Sequence, residues 1–139
     1  MATLNKKVQT VAEKLAIKPG RFVWTSHPDR FAAVGELPAG ADRTDELASA
    51  DVAVLYADDA DSVRALLTAN KADITKPPVV WIAYPKANRT DINRDSLWPI
   101  VVAFGMRPNG QVAIDEVWSA LRFRADKPGE EPFKGGAKN

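Results

Sequence analysis

Hydrophobic positions along this chain change period several times, and each change outlines an element. Leu4, Val8, Val11, Ala12 and Leu15 share one face at helical spacing with charges opposite, and "IKPG" at 17–20 closes the pattern with a proline and a glycine, which predicts an amphipathic first helix. "RFVWTS" at 21–26 reads as a short strand of aromatic and β-branched residues. "HPDRFAAVGELPAGA" then reads as a turn with one or two helical turns before a loop. "DVAVLYA" at 51–57 is almost wholly apolar, the pattern of a strand covered on both faces in a parallel sheet. In "DDADSVRALLTANKADI" the helical period returns, with Asp59 or Asp61 available as the cap and Val63, Leu66, Leu67 and Ile74 as the apolar stripe. Pro77 and Pro78 stop it, and "VVWIAY" at 79–84 is the next strand. Strand, helix and parallel strand make one right-handed crossover.

The second half is less regular. Asn93, Asp95 and Ser96 can each cap the next helix, and Pro99 is tolerated only in a first turn, so Ser96 fits best. Leu97, Ile100, Val101 and Phe104 supply its buried side, and Gly105 stands where a left-handed C-terminal residue is needed. "MRPNGQVAIDEVWSALRFR" holds two strand-like runs, near 110–115 and 117–124, on either side of Asp115 and Glu116, which predicts an antiparallel hairpin at or near the sheet edge. Residues 126–139 are polar and rich in glycine and proline, with Phe133 as the one aromatic, and predict a mobile tail that adds little to stability. The expected architecture is α/β: a single-domain Rossmann-like three-layer fold over 1–125, with a mainly parallel sheet and an antiparallel C-terminal hairpin, followed by the tail at 126–139.

Composition narrows the function classes. With 139 residues, 45% hydrophobic and 27% charged, the chain is sized for one core and is neither disordered nor fibrous. Its 19 basic and 18 acidic residues leave a net charge of +1, no global field for a polyanion, which argues against nucleic acid as a partner. No cysteine is present, which removes disulfides, thiol nucleophiles and cysteine-bound metals, and His27 is the one imidazole. No apolar run approaches the roughly 18 residues of a membrane span, and the first residues lack a signal-peptide core. A cytoplasmic address and no membrane partner are expected.

In open parallel sheets ligands sit beyond the carboxyl ends of the strands, near a topological switch point. Three segments leave such ends: Ser26 and His27, Asp58 and Asp59, and the loop "YPKANRTDINRD" at 84–95. Lys86 and Arg89 are placed to meet an anion there, with Thr90 adding a hydroxyl and His27 facing them from the first strand. The bland alternative pairs both bases with Asp91 and Asp95 on the surface. His27 has Asp29, Asp58 or Asp115 as partners and Ser26 or Ser119 to activate, but no nucleophile elbow surrounds it. Asp115 and Glu116 read as ordinary exposed carboxylates, and no metal-ligand spacing stands out. The segment "TSHPDRF" has no glycine before Gly35, which counts against a dinucleotide or a methyl donor, and no phosphate loop is present, so no cofactor is named. Trp118, Arg122, Phe123 and Arg124 fit sheet core plus solvated face better than a nucleic-acid surface.

"AEKLAIKPG" at 12–20, "YPKANRTDINRD" at 84–95 and "VAIDEVWSALRFR" at 112–124 resemble, in order and spacing, a bacterial family known only as domain of unknown function 3052. The resemblance spans nearly the whole chain apart from the tail, and the closing run is its most specific part. Where that family's loop reads proline, lysine, lysine, threonine or serine, then glycine, this chain has Ala87, Asn88 and Arg89. The resemblance implies a nucleotide-fold-like α/β architecture and carries no activity with it. The expected function is a noncatalytic α/β module that binds a protein partner or a small anionic ligand. The alternative is an enzyme on a reduced methyltransferase-like scaffold.

Overall fold

The computed structural model describes residues 10–86 and 89–131. In chain order the elements are α1 (Val11–Lys14), β1 (Phe22–Thr25), α2 (Pro28–Phe31), β2 (Asp42–Arg43), β3 (Val52–Tyr56), α3 (Ala60–Ala69), β4 (Val79–Pro85), α4 (Arg94–Val102), β5 (Met106–Ala113) and β6 (Trp118–Ala125), with single 3-10 turns at Ala32–Val34 and Leu47–Ser49. They build one six-stranded sheet in the order β2-β1-β3-β4-β6-β5. β2, β1, β3 and β4 run parallel, while β6 pairs antiparallel with both β4 and β5. The expected Rossmann-like α/β fold, with a mainly parallel sheet and an antiparallel C-terminal hairpin, is the fold observed.

Every residue of β3 is buried, and its alternate side chains enter two separate cores. Ala53 and Leu55 pack with Val63 and Leu67 of α3 and Leu97 and Val101 of α4. Val52, Val54 and Tyr56 pack with Ala12, Leu15 and Ile17 from the α1 segment and Phe31 and Val34 from the α2 segment. β4 divides likewise, Val80, Ile82 and Tyr84 to the first core and Trp81 and Ala83 to the second. That two-sided burial is why these runs show no polar alternation. The hairpin lies at the sheet edge as expected, β5 outermost, while β6 is an interior strand with Ser119, Ala120, Leu121 and Phe123 buried.

α1 begins later than its periodicity predicts. Thr10 is extended, and it forms a capping box with Glu13: Glu13 N donates to Thr10 Oγ1 at 3.1 Å and Thr10 N to Glu13 Oε1 at 2.9 Å. The helix therefore does not run through Thr10, and Leu4 and Val8 lie outside the described residues. One turn later the helix closes. Ile17 N bonds to Ala12 O and Ala16 N to Glu13 O, and Ala16 takes a φ of 64°, the left-handed residue of a Schellman motif. This exposes the Leu15 carbonyl, which accepts the buried indole Nε1–H of Trp81 at 2.7 Å.

Two further departures concern α4 and the strands. Asn93, not Ser96, caps α4; Asn93 Oδ1 accepts from Ser96 N at 3.0 Å and Ser96 Oγ from Asn93 N at 2.9 Å. Pro99 consequently falls inside the helix, on its exposed side, and the carbonyl it leaves unbonded belongs to exposed Asp95. β2, only two residues long, pairs with Phe22 and Val23 at one sheet edge. β5 forms the other edge and starts at Met106, earlier than predicted, with an irregularity in register between Pro108 and Gly110.

Residues 126–131, the described part of the expected tail, fold back on the hairpin. Glu130 receives both terminal nitrogens of Arg124, at 3.0 and 2.7 Å, and Lys127 N at 2.9 Å, while Arg107 Nε binds Asp126 at 2.8 Å. The bonds from Arg124 and then Lys127, with the nearby charges of Arg107 and Arg124, hold the Glu130 carboxyl down at about 2. Phe133 lies outside the described residues.

Two predictions follow from this packing. Ala16→Gly removes the left-handed penalty of an alanine, on the order of 1 kcal/mol, against the extra freedom of glycine in the unfolded chain, so the variant should unfold at equal or higher urea concentration. A clear drop would contradict the Schellman closure. The Glu130 carboxyl is depressed in the folded state, so its contribution is present above the ordinary value of 4.5 and lost as pH falls through about 2. Thermal melts from pH 5 to pH 2 should accordingly show a smaller decline for Glu130→Gln than for the wild type.

Candidate functional site

The sheet order places its switch point between β1 and β3. From β1 the chain moves outward to β2, then returns across β1 to β3. The crevice beyond the carboxyl ends of these two strands is where an open α/β sheet receives ligands. Ser26 ties its two sides together: its backbone N donates to Val54 O at 3.2 Å, and its hydroxyl accepts Tyr56 N at 3.0 Å. The same hydroxyl lies 2.7 Å from His27 Nδ1. Which of the two donates in that contact follows the tautomer of the ring, since the hydroxyl keeps a second lone pair and its own proton after accepting Tyr56 N–H.

His27 leads into α2, whose first residue is Pro28 and whose single turn carries Arg30 back over the crevice. Arg30 Nη2 donates to Asp58 Oδ2 at 3.2 Å, beyond the end of β3, and its guanidinium lies 5.2 Å from the centre of the Trp118 ring. Tyr56, the last residue of β3, stands between His27 and Trp118, edge-on to both at 6.3 and 5.5 Å. Its side chain is 1% exposed.

Two polar atoms of this cluster are buried without a hydrogen-bond partner among the described residues: the Tyr56 hydroxyl and Arg30 Nη1. Nη1 lies 3.1 Å from Asp58 Oδ1, an ion pair whose direction makes no hydrogen bond. Burial pushes the Tyr56 phenol up to about 12, the charge of Asp115 adds to the shift, and Arg30 opposes it. The phenol is therefore neutral at ordinary pH and can donate. A buried hydroxyl with no partner suits an oxygen acceptor, while the Arg30 guanidinium beside it is already paired with Asp58.

The residues singled out in the sequence divide into two groups. His27 is in the cluster, but its partners are Ser26 and Tyr56 rather than a carboxylate, because Asp58 is engaged by Arg30. Lys86, Arg89 and Thr90 lie beyond β4, two strand spacings or about 10 Å from the end of β1. No hydrogen bond or ion pair among the described residues joins them to His27. Lys86 N donates to Val117 O at 2.7 Å, Arg89 N to Lys86 O at 3.4 Å, and Thr90 Oγ1 accepts Ile92 N at 3.4 Å. The surface pairing with Asp91 and Asp95 does not occur either. Asp91 accepts Ala60 N at 2.9 Å, at the start of α3, and Asp95 pairs with Arg94 at 3.6 Å. Ala87 and Asn88 lie outside the described residues. Ser119 donates to Val112 O within the hairpin, away from His27.

Arg30, Tyr56 and Trp118 went unrecognised as a group in the sequence. Tyr56 had one visible signal: a polar-tipped residue ending an otherwise apolar buried strand has its hydroxyl at the carboxyl edge. Among the described residues no group of three or more His, Asp or Glu can hold a metal ion, and no helix is long and apolar enough to cross a membrane.

No family model matches the chain and no curated protein matches it, so the resemblance to the family of unknown function rests on the residues quoted above. Solved structures do match. A tRNA methyltransferase of B. subtilis, TrmK, is similar at a TM-score of 0.56 and 15% identity, over 93% of this chain and 71% of that one. A protein of the NADB-Rossmann superfamily from Streptococcus agalactiae is similar at 0.52 and 10%, over 88% and 71%. LepI in complex with SAM is similar at 0.50 and 12%, over 84% of this chain and 39% of LepI. At such identities the likeness speaks for the fold. It also corrects the preference for a noncatalytic module: the chains on this scaffold include a methyltransferase and a SAM complex, which favours the enzyme alternative.

Proposed function

We propose that this protein is an enzyme on a reduced methyltransferase-like scaffold, working in the crevice between the carboxyl ends of β1 and β3. The observation that supports it is the buried Tyr56 hydroxyl, which has no hydrogen-bond partner among the described residues, at the switch point of the sheet beside the Arg30–Asp58 ion pair. It would donate to an oxyanion or a carbonyl oxygen of the substrate, and His27, held by Ser26, is the group beside it able to move a proton. Lys86, Arg89 and Thr90 belong to this proposal as an outer rim that attracts the same anion from beyond β4.

The methyl donor S-adenosylmethionine, which the scaffold brings to mind, does not fit the residues present. Residues 26–31 contain no glycine, Pro28 removes a backbone donor at the first position of α2, and the Ser26 hydroxyl is taken by Tyr56 N and His27. The chemistry proposed here is therefore carried by the chain's own acid–base and donor groups.

A thermal-shift and turnover screen of carboxylates, phosphorylated sugars, nucleotides and S-adenosylmethionine tests this. Oxyanion-bearing compounds should stabilise the protein, and S-adenosylmethionine should not. Tyr56→Phe removes a hydroxyl that has no partner, so it should leave stability unchanged or raise it by up to ~1 kcal/mol, while weakening the ligand found by about tenfold. Loss of stability with unaltered binding would place the hydroxyl in the protein's own bonding and end the proposal. Replacing Lys86 and Arg89 together by alanine should lower ligand affinity in a salt-dependent way and leave the unfolding midpoint in place, since exposed bases add little to folding. Isothermal titration at two ionic strengths checks it.

A further inference from the structure

A second concentration of charge lies at the opposite end of the sheet, where the amino ends of β3 and β4 face the segment leaving α1. A cavity of about 170 Å³ opens there, lined by Ala16, Lys18, Arg21, Asp51, Pro78 and Arg122 among others. Three cations face one carboxylate. Asp51 is engaged, accepting Phe22 N at 2.9 Å and lying 3.6 Å from Arg21. Neither Lys18 nor Arg122 has a carboxylate partner among the described residues, so the cavity keeps an excess of positive charge. Like charges gathered in one concavity repel unless an anion joins them.

The cations stand on fixed elements. Lys18 and Arg21 flank one turn, closed by Arg21 N donating to Lys18 O at 3.2 Å, and that turn follows the Schellman closure at Ala16. Arg122 is half-buried on the interior strand β6, its guanidinium 5.9 Å from the centre of the Trp81 ring. A guanidinium restrained by stacking loses little freedom on binding, and its planar set of donors suits a phosphate. The volume corresponds to on the order of five water molecules, enough for a phosphate group with a few atoms attached and too small for a nucleotide.

We infer that this amino-edge cavity is a binding site for a phosphate dianion, either free or as a small phosphate monoester, separate from the crevice at His27 and Tyr56. Nothing in the proposed activity depends on it.

The test is a titration of the full chain with inorganic phosphate and, separately, glycerol phosphate, followed by amide and indole N–H resonances, with sodium chloride at matched ionic strength as the control. Saturable shifts are expected at Ala16, Lys18 and Arg21 and at the Trp81 indole, with none at His27 or Tyr56. Lys18→Ala and Arg122→Gln should each weaken binding by about tenfold, the loss of one charge-assisted contact. Arg122→Gln also loses the stack on Trp81, so Lys18→Ala, at an exposed position, carries the test if Arg122→Gln fails to fold. Tighter binding of the ester would point to a phosphorylated metabolite, tighter binding of inorganic phosphate to the free ion. Shifts reproduced by chloride, no saturable shift, or undiminished affinity in Lys18→Ala would overturn the inference.

Discussion

Strands β3 and β4 have no polar face, and most of the molecule is arranged around that fact. A strand apolar on both sides must be covered on both sides, and here α3 and α4 cover one while the α1 and α2 segments cover the other. The two covers differ in kind. α3 and α4 are helices of ten and nine residues, whereas α1 and α2 are described over four each. Short elements pack only if their ends are secured, and the second core secures them through polar contacts as well as burial. The Trp81 indole holds the Leu15 carbonyl, and Thr10 with Glu13 holds the start of α1. With both faces occupied, the sheet can meet ligands only at its two ends.

Those ends are chemically unlike. At the carboxyl edge, aromatic rings enclose a neutral phenol, an imidazole and an arginine, and the charges present are nearly balanced by Asp58. At the amino edge, cations outnumber acids. Arg122, which lines the amino-edge cavity, pairs across β4 and β6 with Trp81, whose ring its guanidinium faces. Parallel strands produce this polarity as a matter of course, since all their amino ends gather at one rim and all their carboxyl ends at the other.

The parts of the fold legible in the sequence were those set by long-range burial. "DVAVLYA" and "VVWIA" announced central strands because two-sided burial removes all alternation, and Asp59 was visible as a cap because a short polar residue preceded an apolar helical stripe. Local competition obscured the rest. Asn93 outcompeted Ser96 because Ser96 serves it as the other half of a capping box, which put Pro99 inside the helix. β2 has two residues and both are charged, so no apolar pattern could reveal it. The candidate site was half legible. The strand-end rule found His27 and the loop at Lys86, yet Arg30, Tyr56 and Trp118 come from three separate segments, and only the pairing of β3, β4 and β6 brings Tyr56 and Trp118 side by side.

The two outer strands are poor templates for one another. β2 offers a neighbour only two residues of backbone, both bearing charged side chains, and β5 is interrupted in mid-course, near a proline that has no N–H to give. A second copy of the chain would meet only short or interrupted stretches of backbone along either rim. Growth by edge-to-edge stacking, the route by which exposed sheets turn into fibrils, is disfavoured by two irregularities that look, taken singly, like imperfections of the fold.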